Sequence, residues 1–277
     1  MPWLSLSTLA LAALLTGYGV FEAGWLRRRV VAVEITGLPE ELVGLRIAHL
    51  SDFHLGARSR GSVATERAVA WVEERRPDIV CVTGDLVCHP RGEARLRSLL
   101  NRLGRPYVVL GNHDIAVTRD PFSRTAELED LREAVLLSDE AVVVDLRGLR
   151  VSIAGVDPQT YHRRTADPAR LVDPSADFRL LLCHFPSVAR RLHAGAFDLI
   201  LAGHMHAGQI VLPYPGGRFT LAHPRAREVQ GLFRFPSGTL HVSPGLGTTF
   251  VPIRFCARPE VTELVLARPR GVASTRP

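Results

Sequence analysis

The sequence predicts an α/β fold, and three observations carry the prediction. Short β-rich runs alternate with helix-like stretches along nearly the whole chain. The composition is that of a folded body, with 46% hydrophobic and 22% charged residues among 277, which excludes a disordered or fibrous chain. Several apolar runs end on Asp, Asn or His, and the carboxyl ends of strands are where open α/β sheets place their ligands.

The first element, residues 1–29, reads as a membrane anchor. No charged side chain appears from Pro2 to Phe21, Leu9 to Leu15 is continuously apolar, and Trp3 and Trp25 flank the run; a helix of ~20 apolar residues crosses a bilayer core. Arg27, Arg28 and Arg29 follow the run instead of preceding it. That order argues against a cleaved signal peptide, and by the positive-inside rule it keeps the body inside. The expectation is a single-pass protein of the inner (cytoplasmic) membrane with a cytoplasmic catalytic domain, Glu22 being the residue that weakens the span.

Beyond the anchor, strands are expected over 30–35, 45–50, 78–83, 107–110, 141–146, 150–156, 178–183, 198–202, 209–212, 231–235, 239–243 and 261–267. Helices are expected over 62–75, 93–103, 125–137 and 187–193. No linker separates a second core, so residues 30–268 read as one domain and 269–277 as a polar tail. The net charge of +6 rests on arginine alone, since the chain contains no lysine. These arginines are scattered, without a basic tail or a nucleic-acid motif, and no nucleic-acid partner is expected. Cys81, Cys88, Cys183 and Cys256 form no CxxC pair and read as buried thiols of a reducing compartment.

The chemistry collects where strands end. "IAHLSDFHLG" supplies Asp52 and His54, "IVCVTGDLV" Asp85, "VVLGNHD" Asn112, His113 and Asp114, "LLLCHFP" His184, and "LILAGHMH" His204 and His206. Two Asp, one Asn and four His offer mixed oxygen and nitrogen ligands without thiolates, a set suited to Mn, Fe, Zn or Co. Seven donors are too many for one four-coordinate ion and fit two divalent ions sharing a carboxylate. In an extended segment alternate side chains point the same way, so His204 and His206 can both enter the site while Met205 turns away.

In this order D-x-H, G-D, G-N-H-D, H and G-H-x-H resemble the calcineurin-like metallophosphoesterase superfamily, most closely its bacterial branch with an amino-terminal membrane segment. "SPGLGTTFVPIRFCARPEVTEL" extends the likeness over nearly the whole body. The resemblance implies a four-layer α/β/β/α sandwich with a dinuclear metal site at the strand ends. It implies that Asp52, His54 and His206 bind one ion, that Asn112, His184 and His204 bind the second, and that Asp85 bridges them. His113 is implied as general acid toward the leaving oxygen, with Asp114 orienting its ring, while a hydroxide bridging the ions attacks phosphorus in line. Two departures stand out: Met205 and Ala207 replace the threonine and first glycine of the commoner G-H-T-H-G-G-Q, and Cys88 and His89 follow "GDLV".

Outside this set, His49, His89, His162, His193, His223 and His241 read as ordinary core or surface residues, although His162 and His223 lie in polar loops that could border a substrate. Arg58 and Arg60, in "HLGARSR", read as solvated loop charge, with phosphate binding as the alternative. The expected function is hydrolysis of a phosphodiester or pyrophosphate bond by a phosphoesterase. Members of the anchored branch include hydrolases of UDP-2,3-diacylglucosamine, so a lipid-linked or nucleotide-sugar substrate is one reading. A membrane-tethered general or cyclic-nucleotide phosphodiesterase is the other. A non-catalytic scaffold is disfavoured because every expected ligand and His113 are retained.

Overall fold

The computed structural model describes residues 2–269 apart from 125, 127 and 129. Helix α1 (Pro2–Ala23) leads into β1 (Arg27–Glu34), β2 (Arg46–Leu50), α2 (Gly61–Arg75), β3 (Ile79–Thr83), α3 (Glu93–Arg102), β4 (Tyr107–Val109) and β5 (Val135–Leu136). The second half follows with β6 (Glu140–Leu146), β7 (Leu149–Gly155), α4 (Pro158–Arg163), β8 (Phe178–Leu182) and β9 (Leu199–Ala202). A hairpin of β10 (Val211–Tyr214) and β11 (Gly217–Thr220) precedes β12 (Gly231–Phe235), β13 (Gly238–Val242) and β14 (Glu260–Ala267).

Two six-stranded sheets result, in the orders β1-β14-β2-β3-β4-β5 and β12-β13-β9-β8-β7-β6. The central run β2-β3-β4 of the first and β7-β8-β9-β13 of the second are parallel. Side-chain alternation divides the core into layers. Ile47, Ile79, Leu264, Leu180, Leu182 and Leu201 meet between the sheets. Their neighbours Ala48, Leu50 and Val82 turn outward onto α2 and α3 through Val69, Val72, Leu96 and Leu100. Leu181, Ile200 and Leu240 turn outward on the far side, onto Tyr161 of α4 and Val188. Each such fully buried aliphatic side chain contributes about 1.5–3 kcal/mol. The parallel strands of both sheets deliver their carboxyl ends to one rim, and the site sits there.

The amino-terminal expectation is met only in part. α1 is formed, but among the described residues no helix is long and apolar enough to cross a membrane. Its last turn belongs to the body. The buried Glu22 carboxylate accepts the N–H groups of Cys256 (3.0 Å) and Ala257 (2.6 Å), and Gly19 O accepts from Arg254 N (3.0 Å). The arginine triplet is not a free flank either, since β1 begins at Arg27 and pairs with β14, and Arg27 and Arg29 face Glu260 at 3.6 and 3.9 Å.

Other departures are local. Of the helix expected over 125–137, the described residues up to 134 are irregular and the end is β5. The helix expected over 187–193 is a 3-10 turn, Pro186–Arg190. The strand expected over 209–212 is displaced to β10. Cys256 is exposed, unlike the other three cysteines. Most of the tail expected over 269–277 lies outside the described residues.

Candidate metal centre

At the rim the chain leaves each strand through a sharp reversal. Asp52, His54, Asp85, His204 and His206 have φ of 53°, 45°, 52°, 71° and 49°, a left-handed region uncommon for non-glycine residues and several-fold enriched in Asp and His. The turns after β2 and β3 run in register, with Asp52 N donating to Gly84 O and His54 N to Asp85 O, both at 2.9 Å. Close approach fixes two glycines. A Cβ on Gly203 would collide with the Ser51 and Asp52 side chains, and one on Gly84 would lie 2.8 Å from His184 Nδ1.

These reversals bring the expected ligands together. His54 Nε2 lies 3.1 Å from His206 Nε2 and 3.5 Å from Asp85 Oδ2. His206 Nε2 is 3.3 Å from Asp52 Oδ1. On the other side, His184 Nε2 is 3.3 Å from Asp85 Oδ2, 3.1 Å from Asn112 Oδ1 and 3.2 Å from His204 Nδ1. The atoms form two groups, Asp52–His54–Asp85–His206 and Asp85–His184–His204, each within 4.8 Å of one another. Asp85 belongs to both. Met205 turns into the core.

The electrostatics fit cations. Burial opposes ionisation of Asp52 and Asp85, but the facing imidazoles, His206 for Asp52 and His184 for Asp85, outweigh it and hold both carboxyls well below the usual range. Burial pushes His54 well below its ordinary value and His204 down to about 3, so both are neutral near pH 7. His184 behaves oppositely. Burial is overcome by Asp85, which raises it to about 9. Imidazole nitrogens facing each other beside two buried carboxylates need positive charge between them, and the donor set suits divalent cations such as Mn, Fe, Zn or Co.

His113 stands against this cluster, its ring 4.6 Å from that of His54 and perpendicular to it. Its backbone N donates to Asp85 Oδ1 at 2.9 Å. Hydroxyls hold the ring, with Ser123 Oγ 3.2 Å from Nδ1 and Thr118 Oγ1 3.1 Å from Nε2. Burial lowers its pKa, against an opposing pull from Asp85. Asp114 does different work from the ring orientation expected of it. Its carboxylate accepts the N–H groups of Leu86 (2.9 Å), Val87 (3.1 Å) and Gly111 (2.8 Å), tying the turn after β3 to that after β4.

Several partners escape a reading of the sequence. Thr83 O lies 2.7 Å from His184 Nδ1, which fixes Nδ1 as the donor and turns Nε2 toward Asp85. Arg254 is fully buried, donates to the carbonyls of Pro244, Gly247 and Ala257 at 2.7–3.0 Å, and approaches His206 Nδ1 at 3.2 Å. A guanidinium only donates, so Arg254 meets Nδ1 as an acceptor and fixes the plane of the His206 ring from behind. Beneath, His49 Nδ1 meets His241 Nδ1 at 2.7 Å and His49 Nε2 meets Thr83 Oγ1 at 2.9 Å. His49 and His241 are core groups, as expected of them. A cavity of about 730 Å³ opens over Asp85, Asn112 and His113, and both His162 and His223 line it.

Comparison with known proteins agrees with this geometry. Residues 45–208 match the family described as calcineurin-like phosphoesterase. The chain is 30% identical over 225 residues to the uncharacterised metallophosphoesterase YkoQ of Bacillus subtilis (strain 168), covering 79% of this chain and 82% of that one. It is 28% identical to the UDP-2,3-diacylglucosamine pyrophosphatase LpxG of Chlamydia trachomatis, covering 79% and 83%. It is 26% identical to the phosphodiesterase YaeI of Escherichia coli (strain K12), covering 94% and 96%. With its strand-end carboxylates and imidazoles in the order of that family, the chain belongs to the calcineurin-like phosphoesterases and is a metal-dependent phosphoesterase.

Proposed function

We propose that the protein hydrolyses a phosphodiester or pyrophosphate bond at a dinuclear metal centre. The observation that carries this reading is the sharing of Asp85 by two groups of ligating atoms. Asp52, His54, Asp85 and His206 would hold one divalent ion, and Asp85, Asn112, His184 and His204 the second. Such a pair supplies a water-derived nucleophile at neutral pH and neutralises charge on phosphoryl oxygens.

The chain's own groups do the rest. Asp85 is fixed by the His113 N–H, and the ligand rings are fixed by Thr83 O and Arg254. His113 is the proton donor to the leaving oxygen, its ring plane set by Thr118 and Ser123. Asp114 acts as a positioning residue through the backbone of the two turns that present Asp85 and Asn112.

The substrate we favour is lipid-linked or a nucleotide sugar such as UDP-2,3-diacylglucosamine. The pyrophosphatase relative supports it, and so does α1, where Leu9, Leu11, Leu14, Leu15, Tyr18 and Phe21 are 40–71% exposed. We take α1 to associate the body with a membrane, on its cytoplasmic side. The phosphodiesterase relative supports a second reading, a general or cyclic-nucleotide phosphodiesterase acting on soluble substrates. A screen of the full chain with Mn, Fe, Zn and Co separates them. Turnover of UDP-2,3-diacylglucosamine well above that of bis-p-nitrophenyl phosphate and cyclic nucleotides is expected. The reverse order selects the second reading, and inertness toward all of them with every metal defeats both.

A further inference from the structure

A second cavity, of about 430 Å³, adjoins the metal centre and is absorbed by none of the chemistry above. Three guanidinium groups, Arg58, Arg91 and Arg124, line it. They come from separate parts of the chain, the turn after the Asp52–His54 block, the segment after Cys88 and His89, and the loop beyond His113. None has an ion pair among the described residues, whereas arginines of α3 are paired: Arg95 with Glu66, Arg97 with Glu93 and Glu133, and Arg102 with Glu66 and Glu73. Arg91 Nε donates to Gly56 O at 2.6 Å, and Arg124 donates to the carbonyls of Pro121 and Ser123 at 2.9 and 2.7 Å. These bonds anchor two of the forks and, among the described residues, leave their other N–H groups open.

Among the described residues one carboxylate, Asp120, shares the cavity, and its oxygens are occupied by Thr249 Oγ1 (3.0 Å), Phe250 N (2.8 Å) and Phe122 N (2.9 Å). Three positive groups therefore face one negative group already committed to the loop. The rim is apolar: Phe122 is 72% exposed, Phe250 49% and Val251 41%. Phe250 has φ 58°, a strain that persists where surrounding bonds over-determine it; here the Asp120 bond holds the ring outward.

The cavity's position links two other features. Thr249 and Phe250 also line the cavity over the metal ligands, and Thr249 Oγ1 lies 3.5 Å from His113 Nε2. On the opposite side, Ala57, Arg58, Ser59 and Pro252 continue into a crevice bordered by Val20 of α1. One surface thus runs from the metal centre, past unpaired arginines and exposed aromatic rings, to the exposed apolar helix.

We infer that this cavity is a subsite for a second phosphate of an acyl-bearing phosphoester substrate, bound by Arg58, Arg91 and Arg124, with the acyl portion lying over Phe122, Phe250 and Val251 toward α1. Planar guanidinium forks match phosphate oxygens, and apolar area beside them selects an amphiphile over a free anion. The inference rests on the phosphoester reading of the metal centre, and a binding measurement separates the two, because turnover tests the centre and binding with chelator present tests the subsite.

The probe is monomeric lysophosphatidic acid titrated calorimetrically into the full chain, with Mn and with EDTA. Binding is expected in both, at least tenfold tighter than that of inorganic phosphate or lysophosphatidylcholine. Arg58→Ala combined with Arg124→Ala should weaken it at least tenfold, about 1.4 kcal/mol, and Phe122→Ser should weaken it without altering the preference for phosphate over choline headgroups. Arg190→Ala with Arg234→Ala, which removes two arginines paired elsewhere with Glu228 and Glu34, should leave it unchanged. Loss of binding in EDTA, equal affinity for lysophosphatidylcholine or inorganic phosphate, or equal weakening by the two double variants would each overturn the proposal.

Discussion

Asp85→Asn tests the centre most directly, because one carboxylate serves both ligand groups. The substitution keeps the shape and removes one negative charge lying 3.5 Å from His54 Nε2 and 3.3 Å from His184 Nε2. Two consequences are measurable. Loss of a partner that merely orients a ligand costs roughly 10–100-fold in metal affinity, so loss of a shared anionic ligand should weaken each ion by at least about 100-fold. His184, which Asp85 raises to about 9 against the effect of burial, should titrate lower once that charge is gone. Elemental analysis after dialysis against buffered Mn reads the first effect, and histidine NMR titration of metal-free protein reads the second. Two ions retained per chain, or an unmoved His184, would refute the bridging assignment.

The other predictions concern the groups around it. His113→Gln should retain both ions, because the backbone N–H still reaches Asp85 Oδ1, yet lose most turnover. In the parent protein kcat/KM should fall as pH rises through the His113 pKa, which lies below 6.5, and persistence of that limb in the variant would remove the proton-donor role. Asp114→Ala strands three buried N–H groups, each worth about 1–3 kcal/mol; urea unfolding should show a loss of roughly 3 kcal/mol or more, and a loss under 1 kcal/mol would contradict the tie between the turns. A proton on His184 must leave when metal binds, so Mn affinity should rise about tenfold per pH unit from 7 to 9 and then level; flat affinity by competition titration would oppose this. In metal-free protein the same raised pKa gives stability that is full below 6.5 and lost as pH climbs through about 9. Ala207→Gly relieves a left-handed residue at φ 54°, worth about 1 kcal/mol, and should raise Tm by roughly 2–4 °C; a lower Tm would deny the strain.

The parts of the site that the sequence made legible share one property: each ligand follows directly on an apolar strand, so period and position reinforce each other. Leu50 precedes Asp52 by two residues, and Ala202 precedes His204 by two. What supports those ligands has no such signal. Arg254 acts on His206 from 48 residues away, and Thr83 holds His184 through a carbonyl, which carries no residue identity. The helix expected over 125–137 illustrates a false period. Leu128, Leu131 and Ala134 are all buried in the cluster under α3, three residues apart as one face of a helix would place them, yet the described residues there are irregular. Conversely, α4 is too short at six residues for periodicity to register, and only its cap, Asp157 accepting from Gln159 N and Thr160 N ahead of Pro158, could have announced it. At the amino terminus the apolar run and its flanking tryptophans and arginines point to a membrane, and no such pattern shows that the Glu22 carboxylate satisfies two N–H groups of the body.

Backbone strain and buried polarity converge on the same few turns. Five of the seven proposed ligands have left-handed φ, a conformation that costs about 1–2 kcal/mol per residue. A chain folding only for stability would place glycine or asparagine there. Side chains that need to face inward from a reversing strand end cannot be glycine, so the strain is offset by neighbours that leave the turns no alternative: Asp114 on three backbone N–H groups, Arg254 on three carbonyls, and paired backbone bonds between the turns after β2 and β3. None of these groups needs to touch a substrate. Their effect is to hold the imidazole nitrogens and carboxylates of each ligand group within 4.8 Å of one another, the fixed geometry that a metal centre requires of its supporting residues.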